Sequence, residues 1–184
     1  MSKKILVVTG SARRNGNSDQ LAQAFARGAR KAGHHVMLFS AAQKRIGGCL
    51  GCDLCWSQGR PCIQKDDMTE AYPLFQEADV LALASPVYFS CLTAQLKAFL
   101  DRTYCFGSLS EEHKSHIRES VLLLTAGDAP ESAVFDAPLK IYRDTIRFWK
   151  VQDRGIIKAG GLGEKGAIQG THWLQEAEAL GRSI

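Results

Sequence analysis

The residues at positions 10–18 have the types and the spacing to bind an anion. An apolar run, 5–8, precedes them, and an amphipathic helix pattern follows them. The segment is therefore predicted to run as strand, glycine-containing loop and helix, with backbone N–H groups and the positive end of the helix dipole facing one point. Its candidate phosphate ligands are Ser11, Arg13, Arg14, Asn15, Asn17 and Ser18.

An ordinary strand-to-helix turn is the alternative, with Asn17 or Ser18 as the N-cap of the helix. Two glycines, two arginines and four short polar side chains in nine positions favour phosphate binding over that plain turn. The stretch is not a Walker A loop, because Asn17 stands where that motif has its lysine. This argues against a P-loop kinase or NTPase.

The elements that must position this loop alternate between strand and helix. Strands are predicted at 3–9, 35–40, 80–84, 121–124 and 154–159, and helices at 18–32, 67–77, 92–105, 131–149 and 170–181. This alternation predicts an α/β fold, a flavodoxin-like three-layer sandwich with a five-stranded parallel sheet in the order 2-1-3-4-5. We expect a single domain over residues 1–184, with a cysteine-containing insertion loop at 41–65.

A second loop is expected beside the first. In this strand order the ligand crevice lies at the carboxyl ends of the first and third strands. The third strand leads into Ser85, Pro86, Val87, Tyr88 and Phe89. A proline-stiffened loop with two aromatics and free backbone N–H groups suits a flat conjugated ring. The alternative is an ordinary strand-to-helix turn with buried aromatics, which would have the same sequence pattern. Phosphate at one loop and a planar ring at the other describe a mononucleotide such as FMN.

Several stretches together resemble the flavodoxin-fold NAD(P)H-dependent FMN reductase family, which includes the multimeric flavodoxins and the iron-sulfur flavoproteins. These stretches are 10–18, 62–68, 78–80, 85–89, 95–102 and 163–181. The resemblance implies FMN with its phosphate at Ser11, Arg13, Asn17 and Ser18, its ring against 86–89, and a third loop, Thr125, Ala126 and Gly127, closing over the ring. The chain departs from the family at Ala12, where proline is common.

The resemblance also implies NAD(P)H as co-substrate and a homodimer or homotetramer with the flavin near a subunit interface. We therefore predict an FMN-dependent oxidoreductase that passes reducing equivalents to a quinone, a flavin or a similar small-molecule acceptor. The alternatives are an iron-sulfur flavoprotein that carries electrons, a flavodoxin-type shuttle, and a non-enzymatic FMN-binding module. Shuttles of that type are usually acidic, so the net charge of +4 argues against one.

Four cysteines lie close together at Cys49, Cys52, Cys55 and Cys62. Their C-x2-C-x2-C-x6-C spacing is similar to ferredoxin cluster-binding runs and fits the compact motif of iron-sulfur flavoproteins. The alternatives are a [4Fe–4S] cluster, zinc held by four thiolates, and cysteines without any metal.

Charge and hydropathy exclude two classes of partner. The net charge of +4 is spread along the chain without the basic block typical of nucleic-acid binding. No apolar run approaches the roughly 20 residues of a membrane span, and we expect a cytoplasmic protein. Residues 161–166 spell G-x-G-x-x-G. We interpret these glycines as shaping the last connection, because a dinucleotide fingerprint needs a further strand with an acidic residue about 20 positions on.

Overall fold

A parallel sheet forms the centre of the computed structural model, which describes residues 1–107 and 114–184. Its strands are β1 Lys4–Thr9, β2 His35–Ser40, β3 Val80–Pro86, β4 Glu119–Thr125 and β5 Gln152–Ala159. Every neighbouring pair is parallel, and the order is β2-β1-β3-β4-β5. The predicted flavodoxin-like fold and strand order are confirmed.

Helices cover both faces of the sheet and make it the middle of three layers. They are α1 Asn17–Lys31, α2 Leu54–Gln58, α3 Met68–Glu77, α4 Ala94–Arg102, α5 Asp136–Phe148 and α6 His172–Arg182. Alternate residues of β1 serve opposite faces: Ile5 packs in the core on the side of α1 and α6, whereas Leu6 packs on the side of α3, α4 and α5. None of the described helices combines the length and the apolar character needed to cross a bilayer.

Helix ends differ from the sequence-based prediction where side chains or tight turns decide them. The segment at 41–65 contains the short helix α2, which the irregular pattern did not predict. Helix α4 begins two residues later than predicted, because the Thr93 side chain accepts the N–H of Leu96 at 3.3 Å and caps it. A 3-10 turn, Ala133–Phe135, occupies the predicted start of α5.

Candidate functional site

Four loops meet in one cleft at the carboxyl ends of β1, β3, β4 and β5. The cleft has a volume of about 190 Å³. It is lined by Ser11, Arg13, Gly16, Asn17 and Ser18 from the first loop, Pro86, Val87 and Tyr88 from the second, Thr125, Ala126 and Gly127 from the third, and Leu162, Gly163 and Lys165 from the fourth. The three loops predicted from the sequence therefore come together where the strand order reverses.

The first loop presents the start of α1 to the cleft without a side-chain cap. The N-cap is Gly16, not Asn17 or Ser18, and no side chain accepts a hydrogen bond there. Gly16 is required by a close approach, because a Cβ at this position would lie 2.9 Å from the carbonyl oxygen of Arg13. Uncapped N–H groups and the helix dipole give this end a partial positive charge, which favours anions.

The hydroxyl of Ser11 shapes the loop from inside. It donates to the Arg13 carbonyl at 3.1 Å and accepts the Arg13 N–H at 3.2 Å. Ser11 and Ser18 are both buried, whereas Arg13 is exposed. The loop thus combines a hydrogen-bonded backbone with one exposed cation.

Asn17 has a role that the sequence did not reveal. Its Nδ2 donates to the carbonyls of Leu162 and Glu164 at 3.2 and 2.8 Å, and its Oδ1 accepts the N–H groups of Gly166 and Ile168 at 2.9 and 3.3 Å. Two donors and two acceptor positions are all that an amide side chain offers. The side chain predicted to bind phosphate is therefore fully used in holding the fourth loop.

Four predicted site residues, Arg14, Asn15, Ser85 and Phe89, do not line the cleft. The Nε of Arg14 instead donates to the side-chain oxygen of Gln43 at 3.0 Å. Asn15 turns away at φ 55°, and its N–H donates to Asp19 at 3.1 Å. The buried Ser85 hydroxyl donates to the Pro86 carbonyl at 2.8 Å and accepts the Thr93 N–H at 3.1 Å, so it joins β3 to the start of α4. The ring of Phe89 is fully exposed.

The second loop ends in a tight hairpin turn. Tyr88 and Cys91 exchange two backbone hydrogen bonds at 3.0 Å, and Phe89 and Ser90 between them have φ of 48° and 55°. This is type I′ geometry, which favours glycine and asparagine. The Val87 N–H is also used, donating to Thr125 at 2.8 Å. The sequence predicts free N–H groups in this loop, but those of Val87 and Tyr88 are both used in backbone hydrogen bonds.

The fourth loop was missed as part of the site. Leu162, Gly163 and Lys165 line the cleft, and the glycine spacing at 161–166 was the available signal. Lys165 adds a second cation to Arg13, and no carboxylate stands among the lining residues. The cleft therefore has a positive potential, which favours anionic ligands.

None of the four clustered cysteines, Cys49, Cys52, Cys55 and Cys62, is among the residues that line the cleft. Cys49 and Cys52 are exposed, and Cys55 and Cys62 are half-buried. Burial raises the pKa of the Cys55 thiol, and it raises that of the buried Cys105 to about 12. Among the described residues, no three Cys, His, Asp or Glu side chains are arranged to hold a metal ion. The donor set predicted for a cluster is thus not assembled in this conformation.

Fold and cleft define the class: a flavodoxin-like protein with a cleft at its strand-order switch point, lined by two cations and no carboxylate. Residues 3–153 match the family model described as NADPH-dependent FMN reductase. The chain therefore belongs to the NADPH-dependent FMN reductase family.

Curated relatives carry iron-sulfur flavoprotein names. An iron-sulfur flavoprotein of Archaeoglobus fulgidus is 38% identical over 104 residues, which are 56% of this chain and 47% of that protein. Iron-sulfur flavoprotein MJ1083 of Methanocaldococcus jannaschii is 35% identical over 100 residues, 54% of this chain and 51% of that protein. The chain thus spans about half the length of the curated relatives it matches.

Solved structures share the fold over nearly the whole chain. An NAD(P)H:quinone oxidoreductase from Methanothermobacter marburgensis superposes with a TM-score of 0.79 at 20% identity, covering 100% of this chain and 96% of that one. An FMN-dependent NADH-azoreductase from Bacillus anthracis in complex with FMN gives a TM-score of 0.69 at 14% identity, covering 98% and 96%. At these identities the likeness concerns the fold.

Proposed function

We propose that the chain is an FMN-dependent oxidoreductase. The observation that carries the proposal is the cleft, where the uncapped start of α1 and two cations, Arg13 and Lys165, lie at one end and Pro86, Val87 and Tyr88 at the other. A phosphate suits the first end, because helix N-termini and cations both stabilise anions. A flat ring suits the second.

Each loop has a distinct task in this proposal. The N–H groups at the start of α1 and Ser18 receive the phosphate, and Arg13 neutralises its charge. Pro86, Val87 and Tyr88 give apolar cover to the ring, with Tyr88 44% exposed at the outer edge of the cleft. Thr125, Ala126 and Gly127 approach the ring from the end of β4. The family and the FMN-bound azoreductase neighbour support FMN as the ligand.

Bound FMN would supply the redox chemistry, accepting hydride from NAD(P)H and passing electrons to a quinone, flavin or similar acceptor. The chain's own residues bind and orient the cofactor, and we assign no general acid or base. The quinone oxidoreductase neighbour supports this class of acceptor.

Spectroscopy tests the proposal most directly. The purified protein, mixed with FMN under anaerobic conditions, should show the two-peaked visible spectrum of a bound flavin, and NADPH or NADH should bleach it. A protein that never takes up FMN would contradict the proposal. Uptake without bleaching by either nicotinamide would favour a non-enzymatic FMN-binding module.

We further propose that the chain assembles as a homodimer or homotetramer and that a partner chain covers the ring end of the cleft. The support is Phe89, which is fully exposed at φ 48° on the tip of the turn beside the cleft. A bulky residue in the left-handed region is costly unless something compensates for it. Sedimentation velocity at micromolar concentration should therefore give a species of at least two chains, and a strict monomer would contradict this.

An iron-sulfur flavoprotein is the second candidate function. The C-x2-C-x2-C-x6-C spacing and the names of the curated relatives support it. The described conformation does not bring three of these thiols together as metal ligands, so we derive no electron-transfer step through a cluster. Iron and acid-labile sulfide analysis of anaerobically purified protein decides this: about four of each per chain would establish a [4Fe–4S] site, zinc alone would establish a structural site, and neither would leave the cysteines as thiols.

A further inference from the structure

We propose that Lys165 is the second cation of the phosphate site, that Asn17 positions it, and that the pair makes the cleft select flavins that carry a phosphate. This inference rests on the proposed function, because it concerns how the same cleft would discriminate FMN from riboflavin.

Asn17 holds the fourth loop from the first turn of α1. Its amide makes four hydrogen bonds of 2.8 to 3.3 Å to backbone groups between Leu162 and Ile168. One side chain that lies about 150 residues earlier in the chain therefore adds four hydrogen bonds to the backbone bonds that Gly161 and Leu162 make to the third loop. Any shift of the loop would leave several of these groups unpaired, which opposes such a shift.

Lys165 lies between two of the clamped positions. The carbonyl of Glu164 accepts from Asn17 at 2.8 Å, and the N–H of Gly166 donates to Asn17 at 2.9 Å. The backbone of Lys165 is thus held on both sides, and Lys165 is among the residues that line the cleft. Gly166 has φ 88°, a left-handed turn that glycine adopts without strain.

The charge of Lys165 is available to a ligand. Lys165 is exposed, and across residues 1–107 and 114–184 it forms no salt bridge. Arg13, the other cation lining the cleft, is likewise outside these ion pairs. A phosphate monoester carries about −1.5 to −2 charges at pH 7. Two cations and the helix terminus therefore match the charge of a phosphate, whereas riboflavin offers only a neutral hydroxyl.

The test compares FMN with riboflavin. Each is titrated into flavin-free protein at low salt, and the ratio of the two dissociation constants is the readout. We expect Lys165→Gln to weaken FMN binding by about tenfold, as for loss of a charge-assisted hydrogen bond, and to leave riboflavin unchanged. Lys165→Arg keeps the positive charge and should therefore have the wild-type ratio of the FMN and riboflavin dissociation constants. Added salt should reduce the difference in FMN dissociation constant between wild type and Lys165→Gln, because salt screens the charge of Lys165. Lys140→Gln is the matched control, because Lys140 is exposed on α5 and pairs with Asp144 at 2.6 Å.

Asn17→Ala should lower the FMN preference as Lys165→Gln does, with riboflavin affinity reporting whether the cleft is still folded. A Lys165→Gln protein that keeps the wild-type ratio would overturn the role of Lys165. An Asn17→Ala protein with normal riboflavin binding and a normal ratio would overturn the positioning role of Asn17. A wild-type protein that binds neither flavin would instead contradict the proposed function itself.

Discussion

The guanidinium of Arg102 and the carboxylate of Asp66 form a two-point ion pair beneath the cysteine segment. Nη1 lies 2.6 Å from Oδ2 and Nη2 lies 3.1 Å from Oδ1, and the Arg102 side chain has no exposed surface. Arg102 also donates to the carbonyls of Gly47 at 3.0 Å and Gln64 at 3.4 Å. One buried cation thus holds both ends of the segment that carries Cys49, Cys52, Cys55 and Cys62.

Removing the charge of Asp66 should destabilise the fold. Asp66→Asn leaves the Arg102 guanidinium buried without its counter-ion, and breaking a buried pair in this way costs about 3 kcal/mol. Urea denaturation measures the free energy of unfolding. Asp101→Asn is the control. Asp101 forms an exposed ion pair of 2.6 Å with Lys97 on α4, the helix that carries Arg102, and this pair should contribute less than about 0.5 kcal/mol to stability. Equal losses of unfolding free energy in Asp66→Asn and Asp101→Asn would contradict a stabilising role for the buried Arg102–Asp66 pair.

The same pair should make stability depend on acid pH. Burial opposes ionisation of Asp66, but hydrogen bonds from Arg102 and from the N–H groups of Gly47 and Met68 outweigh it and hold the pKa of Asp66 below its usual value. The stabilisation is complete above the unfolded pKa of about 4 and is lost as the pH falls through the lower folded pKa. Wild type should therefore lose more unfolding free energy than Asp66→Asn between about pH 5 and pH 3. If the unfolding free energies of wild type and Asp66→Asn fall equally with pH, the ionisation of Asp66 does not contribute to acid stability.

A carboxylate at position 18 should repel the phosphate of FMN. Ser18 is buried at the first turn of α1 and lines the cleft. We expect Ser18→Asp to weaken FMN binding at least about 100-fold, because like charges meet in a partly dry site, and to spare the fold, because the helix dipole favours an acid there. Fluorescence titration with FMN gives the affinity, and Ser18→Ala is the control for loss of the hydroxyl. Unchanged FMN affinity in Ser18→Asp would show that the first loop does not hold the phosphate.

The contact between α1 and α6 should not tolerate a methyl group. A Cβ on Gly28 would run into the carbonyl oxygen of Glu178, and one on Gly181 would run into that of Phe25. Gly28→Ala should cost about 2 kcal/mol of stability despite the better helix propensity of alanine, seen as a lower midpoint of thermal unfolding. Gly48→Ala should change little, because a Cβ there has no neighbour within 4 Å. A Gly28→Ala protein as stable as wild type would mean that the two helices can separate freely.

The exposed turn at Phe89 offers a test of assembly. Phe89→Asn should stabilise the single chain by about 1 kcal/mol, because asparagine tolerates the left-handed conformation better, and should weaken self-association by removing the ring. Thermal unfolding and sedimentation velocity measure the two effects. Ser90→Asn is the matched control, since Ser90 has φ 55° in the same turn; it should leave association unchanged. If Phe89→Asn assembles as wild type does, the ring does not contact a partner chain.

Sequence patterns were sufficient for the framework, because apolar strands and amphipathic helices are encoded by neighbouring residues. The two stretches 62–68 and 95–102 were recognised only as family-like motifs. The structure shows why both are present, since Asp66 lies in one and Arg102 in the other. Their pairing joins residues 36 positions apart, and no local periodicity encodes it.

The sequence by itself determined the order of strands and helices and the meeting of residues 10–18 with the second loop, and the family resemblance added the third loop. Tertiary structure decided which side chains remain free at the site. The sequence predicts Asn17 as a phosphate ligand, but its side chain makes its hydrogen bonds to the fourth loop. Lys165 lies in a segment that the sequence predicts as a connection, but it lines the cleft. The physical reason is that a side chain forms hydrogen bonds with the groups that surround it in space. For Asn17 those groups are backbone atoms of the fourth loop, about 150 residues later in the chain.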